Sequence, residues 1–223
     1  MNTLVSNIEE SKIKILSMFD TVYPDKMKEY PDAPTVIYYK GDISKLNGKK
    51  VAIVGSRLAT TYGLQVAYQM AYELASNGVT IVSGMAKGID SAAHLGALAA
   101  GGTTIAVLGT GLDVCYPREN LGLMKKIEEH GIVFSEYELG TLPNKENFPK
   151  RNRIISMLSD FVLVVEAKER SGSLITARLA YELGIDVGCV PGNIDSICSK
   201  GCNKLIQDGA YPILDARDIL EML

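Results

Sequence analysis

At 223 residues, 47% of them hydrophobic and 22% charged, the chain suits one large globular domain with short appendages. A formal net charge of −3 excludes a diffusely basic, histone-like nucleic-acid binder, so any polyanion site must be a local basic patch. No run approaches the ~18 apolar residues of a membrane span, and the opening MNTLVSNIEESKIK has early acids in place of an apolar signal core, which predicts a cytoplasmic protein with no membrane partner.

In chain order, Leu4, Ile8, Ile15, Leu16 and Phe19 recur at helical intervals and predict a short helix over 4–19, within an N-terminal helical segment 1–30. Residues 34–39, ended by Lys40-Gly41-Asp42, predict an edge strand. Six short runs then read as buried parallel strands: Lys50–Val54, Val79–Val82, Thr104–Leu108, Ile132–Phe134, Phe161–Val165 and Val187–Val190. Between them Tyr62–Ser76, Asp90–Ala100, Glu119–His130, Arg151–Ser159 and Leu174–Leu183 carry helical spacing. This alternation predicts an α/β fold, an extended Rossmann-like, doubly wound and mostly parallel sheet with helices on both faces, spanning 31–215. Lys204–Gln207 and Asp215–Leu223 predict terminal helices, with 216–223 as a helical tail.

Glycine-bearing turns follow four of the strands: Gly55-Ser56-Arg57, Ser83-Gly84-Met85-Ala86-Lys87-Gly88, Gly109-Thr110-Gly111 and Ser171-Gly172-Ser173. Glycine lets backbone N–H groups approach an anion closely, and Arg57 and Lys87 add full charges, so an anion site at the carboxyl edge of the sheet is expected. The GxxxxGK[ST] loop and the GxGxxG fingerprint are both missing, which demotes nucleotide hydrolysis and nicotinamide chemistry. Phe148-Pro-Lys150-Arg151-Asn152-Arg153 places cations and an aromatic face at a helix start, an arrangement suited to single-stranded nucleic acid. Asp90 reads as a helix N-cap and His94 as a packed core residue, in preference to a proton-transfer pair. Glu136 and Glu166, each ending a strand, read as partners for Arg151 or Arg153. Cys115, Cys189, Cys198 and Cys202 have no zinc spacing, and neither His94 nor His130 supplies one, so reduced thiols and no metal are expected.

Taken together, Val51-Ala-Ile-Val-Gly-Ser-Arg57, Ser83-Gly-Met-Ala-Lys-Gly-Ile-Asp90 with His94, Tyr116-Pro117, Ser135-Glu136, Phe148–Ile155, Glu166-Ala167, Ser171–Ala177, Pro191-Gly192 and Gly201–Ile206 resemble the DNA-processing protein A family, also called DprA or Smf. The resemblance runs from about Tyr23 to Ala210. It implies a cytoplasmic homodimer that binds and protects single-stranded DNA and helps load the RecA recombinase in natural transformation, without a cofactor and without enzymatic turnover. Carried onto this chain, it implies DNA contacts from Gly55, Ser56 and Arg57, from Ser83, Gly84, Ala86, Lys87 and Gly88, from Phe148, Lys150, Arg151, Asn152 and Arg153, and from Ser171, Gly172 and Ser173. The chain departs from the family pattern at Lys87, where arginine is usual, and at Ile185, where arginine is frequent. The N-terminal helical and C-terminal winged-helix-like modules of many members are expected to be absent. An apolar C-terminal surface around Ile206, Ile213 and Leu214 is the candidate dimer face. The rival is a nucleotide-cleaving enzyme or nucleotide sensor of the lysine-decarboxylase-like type, with Glu166 as its acid; its PGGxGTxxE signature is missing.

Overall fold

The computed structural model describes residues 12–223. One mixed sheet of nine strands runs through it, in the order β1-β2-β6-β5-β4-β3-β7-β8-β9. The strands are β1 (Lys14–Ser17), β2 (Val36–Gly41), β3 (Lys50–Val54), β4 (Thr80–Ser83), β5 (Thr104–Leu108), β6 (Ile132–Ser135), β7 (Phe161–Val164), β8 (Asp186–Cys189) and β9 (Tyr211–Pro212). From β6 to β9 every pairing is parallel, whereas β1 on β2 and β2 on β6 are antiparallel. The helices are α1 (Asp25–Lys28), α2 (Thr61–Ser76), α3 (Ile89–Ala99), α4 (Leu121–His130), α5 (Asn147–Leu158), α6 (Gly172–Glu182), α7 (Lys200–Gln207) and α8 (Ala216–Leu220).

The strands are apolar along their whole length because both faces are covered. Alternate residues separate cleanly. Ala52, Val54, Val82, Ile105, Val107, Val162 and Val164 join the core beneath α5 and α6, while Val51, Ile53, Ile81, Phe161 and Leu163 join the core beneath α2, α3 and α8. A third cluster sits where α4 packs on β5 and β6. These are the two helical layers of a doubly wound α/β fold, as the sequence predicts.

Two expectations at the N-terminal side need correction. The helix predicted over 4–19 does not extend through 14–17, which form β1 in register with Val36–Tyr39 of β2. Tertiary pairing outweighs a weak helical period there, because β2 offers an open edge of hydrogen-bonding groups. The part of that predicted helix over 4–11 lies outside the described residues. Likewise β2 is not the edge strand: β1 pairs on its outer side. Ile185, where the resemblance led to an expectation of arginine, is buried in the core against α5 and α6.

What positions the site is the parting of two loops. β3 sits between β4 and β7, and the chain leaves β3 toward α2 on one face but leaves β7 toward α6 on the other. Such a switch point leaves a crevice beyond the carboxyl ends of the two strands, where ligands of open α/β sheets bind.

Candidate nucleic-acid interface

A cleft of about 540 Å³ opens at that switch point. The Gly55–Leu58 turn after β3 forms one wall and the Lys168–Thr176 stretch after β7 forms another; Phe148, Pro149, Arg151 and Asn152 of α5 close the base. A smaller recess of about 60 Å³ continues inward between Arg57, Gly84, Ala86, Lys87, Tyr116, Pro117, Phe148 and Arg151. Arg57, Lys145, Arg151, Lys168 and Arg170 all line the main cleft, whereas among the described residues Asp90 is the one acidic side chain in its lining. The local basic patch expected on this acidic chain is therefore present, and it is concave.

The first turn is tied down firmly. The Ser56 amide donates to the Glu166 carbonyl at 2.7 Å, and the Ser56 carbonyl accepts from the Ile89 amide at 3.2 Å. Gly55 has no room for a side chain, since a Cβ would lie 2.6 Å from the Ile89 side chain. Farther along, the Glu166 carboxylate, 4% exposed, accepts from the Thr60 amide at 2.9 Å and from the Thr60 hydroxyl at 2.6 Å. Between these anchors Arg57 projects into the cleft, its guanidinium 5.1 Å from the centre of the Phe148 ring. Phe148 in turn lies beside Tyr116, with ring centres 5.6 Å apart. The third glycine turn seats this aromatic pair: the Asn147 amide side chain donates to the Gly109 carbonyl, and a Cβ on Gly109 would meet the Phe148 ring at 2.9 Å.

The fourth turn faces the cleft openly. Ser171 caps α6, its hydroxyl accepting from the Ser173 amide and sharing a 2.8 Å hydrogen bond with the Ser173 hydroxyl. A Cβ on Gly172 would meet nothing within 4 Å, so this helix start presents unobstructed backbone toward the lining. Asn152 reaches across from α5 to the Gly172 carbonyl at 3.4 Å.

Several predicted contacts take other roles. Ser83 is 0% exposed and its hydroxyl donates to the Ile53 carbonyl, stitching β4 to β3 instead of facing a ligand. Gly88 serves packing: at φ +77 it starts α3, and a Cβ there would sit 2.3 Å from the Ser56 carbonyl oxygen. Lys87 lines the inner recess but pairs with Glu119 at 2.7 Å, both half exposed. Lys150 is exposed near the start of α5, outside the cleft lining. Arg151 is 4% exposed and serves as the floor, with Nη1 donating to the Gly84 carbonyl at 2.7 Å and to the Val107 carbonyl. Burial lowers its pKa to about 10, against the pull of nearby Asp90, and leaves it charged at neutral pH. Arg153 turns away from the cleft to pair with Glu136 and Asp32. The helical period explains the divergence, because residues two apart on a helix cannot share a face.

The carboxylates also sort out. Glu136 pairs with Arg153 as expected, but Glu166 serves Thr60 and no arginine. Asp90 is not the cap of α3, which Gly88 occupies; its Oδ2 accepts from the Gly84 and Ala86 amides, 3.2 Å from each. His94 is wholly buried, with Nδ1 2.7 Å from the Thr104 hydroxyl, so it forms no pair with Asp90. Among the described residues no His, Cys, Asp and Glu cluster suits a metal ion, and no helix is long and apolar enough to cross a membrane. Sequence reasoning missed Tyr116, Lys145, Lys168 and Arg170 as lining residues. Lys168 and Arg170 stand directly before the Ser171-Gly172-Ser173 turn, which was the available signal.

The chain is similar to known proteins over nearly its whole length. DNA processing protein DprA of Streptococcus pneumoniae is 47% identical over 212 residues, 95% of this chain and 75% of that protein, and its namesake in Bacillus subtilis is 45% identical over 215 residues, 96% and 72%. The X-ray structure of the pneumococcal protein superposes with a TM-score of 0.92 over 97% of this chain and 77% of that one. A Helicobacter pylori DNA processing protein A, whose structure is described as revealing a unique single-stranded DNA binding mode, is 34% identical with a TM-score of 0.86 over 95% of each chain. The family profile described as DNA recombination-mediator protein A matches residues 14–223, and with the motif-bearing turns meeting in one cleft, this chain belongs to that family.

Proposed function

We propose that the chain binds single-stranded DNA along the switch-point cleft and acts as a recombination mediator that hands the strand to a RecA-type recombinase during transformation. The observation that carries this reading is the meeting of Arg57, Lys145, Lys168 and Arg170 with the open start of α6 and the Phe148–Tyr116 pair in one concave site. Cations and helix-start amides hold phosphates, and an aromatic face stacks an unpaired base. Backbone contacts position without specifying, so little sequence preference is expected. The chain's kinship with family members described as recombination mediators, and with a relative described as binding single strands, supports the same reading.

Action as a homodimer in the cytoplasm belongs to this proposal, since two clefts on one strand gain affinity through effective concentration. On the C-terminal surface Tyr211 and Leu214 are exposed and Ile206 is half-buried; Ile213 is fully buried, in the core on the opposite face of the sheet from Ile206, and drops out of the candidate face. For the rival nucleotide-cleaving reading, the proposed acid Glu166 is buried, engaged with Thr60 and outside the cleft lining, which favours binding over turnover.

Fluorescence anisotropy with a short oligonucleotide, its duplex and free nucleotides tests the assignment. Arg57→Ala should weaken single-strand binding about tenfold or more, as loss of a charge-assisted contact does, and lower the salt slope by ~0.7 for one phosphate. An unchanged affinity and slope in Arg57→Ala, or release of free base from nucleoside monophosphates by the wild-type protein, overturns it.

A further inference from the structure

The second glycine turn has the shape of an anion-binding nest. Met85 holds a left-handed backbone at φ +63, which no other non-glycine residue beyond Lys12 does among the described residues. This reversal aims the amides of Gly84 and Ala86, on either side of it, at a common point. In phosphate-binding loops that point is where the ligand oxygen sits. Here it is filled by the protein itself, with Asp90 Oδ2 accepting from both amides at 3.2 Å.

The carboxylate is built in. Asp90 is 7% exposed, yet it forms part of the cleft lining, and Gly84 and Ala86 line the inner recess beside it. A Cβ on Gly84 would lie 2.8 Å from Asp90 Oδ2 and 2.7 Å from Arg151 Nη2, so carboxylate and guanidinium crowd together over the space a side chain there would need. Arg151 also donates to the Gly84 carbonyl. Burial raises the pKa of Asp90, while Arg151, the two amides and Arg57 act in the opposite direction.

We propose that Asp90 is the specificity-determining residue of the cleft: an internal anion that fills the second glycine turn and shuts phosphate out of it. The backbone of a bound strand is then held only along the outer rim, by Arg57, Lys145, Lys168, Arg170 and the start of α6. With the nest filled, the recess lined by Arg57, Lys87, Arg151 and the Phe148–Tyr116 pair offers aromatic faces and side-chain donors that suit the acceptor atoms of an unpaired base edge. A strand must therefore enter base first with its phosphates outside, which an unpaired base does and a paired one does not. This inference rests on the single-strand reading above and goes beyond it by assigning where phosphate is refused.

Amide resonances of 15N-labelled protein test it directly, with inorganic phosphate and a short oligothymidylate as separate probes. In the wild type, phosphate should leave the Gly84 and Ala86 signals in place. In Asp90→Ala the nest is emptied, so phosphate should now shift both signals and raise the thermal midpoint by several degrees more than it does in the wild type. Should Asp90→Ala fold only when phosphate is added, that rescue supports the proposal equally. Wild-type Gly84 and Ala86 signals that move with phosphate as far as those of Gly172 and Ser173 overturn it, as does an Asp90→Ala protein indifferent to phosphate, folded or unfolded. Failure of the oligothymidylate to move any cleft amide in the wild type sinks the single-strand reading instead.

Discussion

Replacing Arg151 with alanine should unfold the protein more readily in the absence of any nucleic acid. The guanidinium sits between the ends of β4 and β5, donating to the Gly84 and Val107 carbonyls and, through Nε, to Asn152 Oδ1 at 3.1 Å. Hydrogen bonds from a charged donor contribute about 1.5–3 kcal/mol each, so the two carbonyl bonds represent about 3–6 kcal/mol. Water entering the vacated space would solvate both carbonyls in part, which sets the expected loss near the lower end, about 3 kcal/mol. Asp90 loses its main compensating charge at the same time, and a buried carboxylate left uncompensated adds to the cost. Measured against a total stability of about 5–15 kcal/mol, this is a large fraction. With a urea dependence of about 2 kcal/mol per molar, the unfolding midpoint should fall by about 1.5 M. Arg151→Lys should recover less than half, because one ammonium cannot reproduce a planar fork reaching two carbonyls. An Arg151→Ala midpoint within about 0.25 M of wild type, ~0.5 kcal/mol on that slope, would refute the structural assignment and return Arg151 to the ligand-binding set.

Two other outcomes follow from groups near the site. The Thr104 hydroxyl donates to the Ile81 carbonyl at 2.8 Å, so His94 must donate to it from Nδ1, leaving a buried Nε2 with no partner among the described residues; burial, then the nearby Arg151 charge, lowers the His94 pKa to about 3. Because the unfolded chain takes up this proton near pH 6.5 and the folded one does not, His94 favours the native state fully above that pH and progressively less down to about 3. Acid titration of stability should show this loss in the wild type and a flatter profile in His94→Leu; parallel profiles would contradict it. Gly88→Ala should destabilise by about 1–3 kcal/mol, since it adds strain at φ +77 and drives a Cβ into the Ser56 carbonyl. A thermal midpoint equal to wild type in Gly88→Ala would show that the two loops do not depend on that close approach.

The strands and main helices were legible because each obeys a local rule. Lys50–Val54 and Phe161–Val164 are β-branched runs bounded by turns, and α2 begins at a threonine whose hydroxyl accepts from the Gly63 amide. β1 was not legible, because a four-residue strand is specified by its partner's open edge and by no pattern of its own. The same division holds in the cleft. Arg57 and Ser171–Ser173 belong to turns whose place at a strand end follows from order along the chain. Lys168 and Arg170 reach the cleft because β7 lies beside β3, and Tyr116 and Lys145 reach it from the loops after β5 and β6 on the other side of β3, neighbour relations that the sequence order does not display.

The Lys150–Arg153 run shows where counting charge along a sequence fails. Four consecutive residues on a helix point in four directions, so the run divides among solvent for Lys150, the cleft floor for Arg151, the α6 turn for Asn152 and an acidic partnership for Arg153. Arg151 and Arg153 spend their charge on the protein's own carbonyls and carboxylates. The cations left to attract a polyanion come from three separate segments that share no sequence neighbourhood: Arg57, Lys145, and Lys168 with Arg170. An acidic chain can thus carry a basic cleft without a basic stretch. The same folding that gathers those charges places the Asp90 carboxyl among them, hydrogen-bonded to the Gly84 and Ala86 amides beside the Arg151 floor.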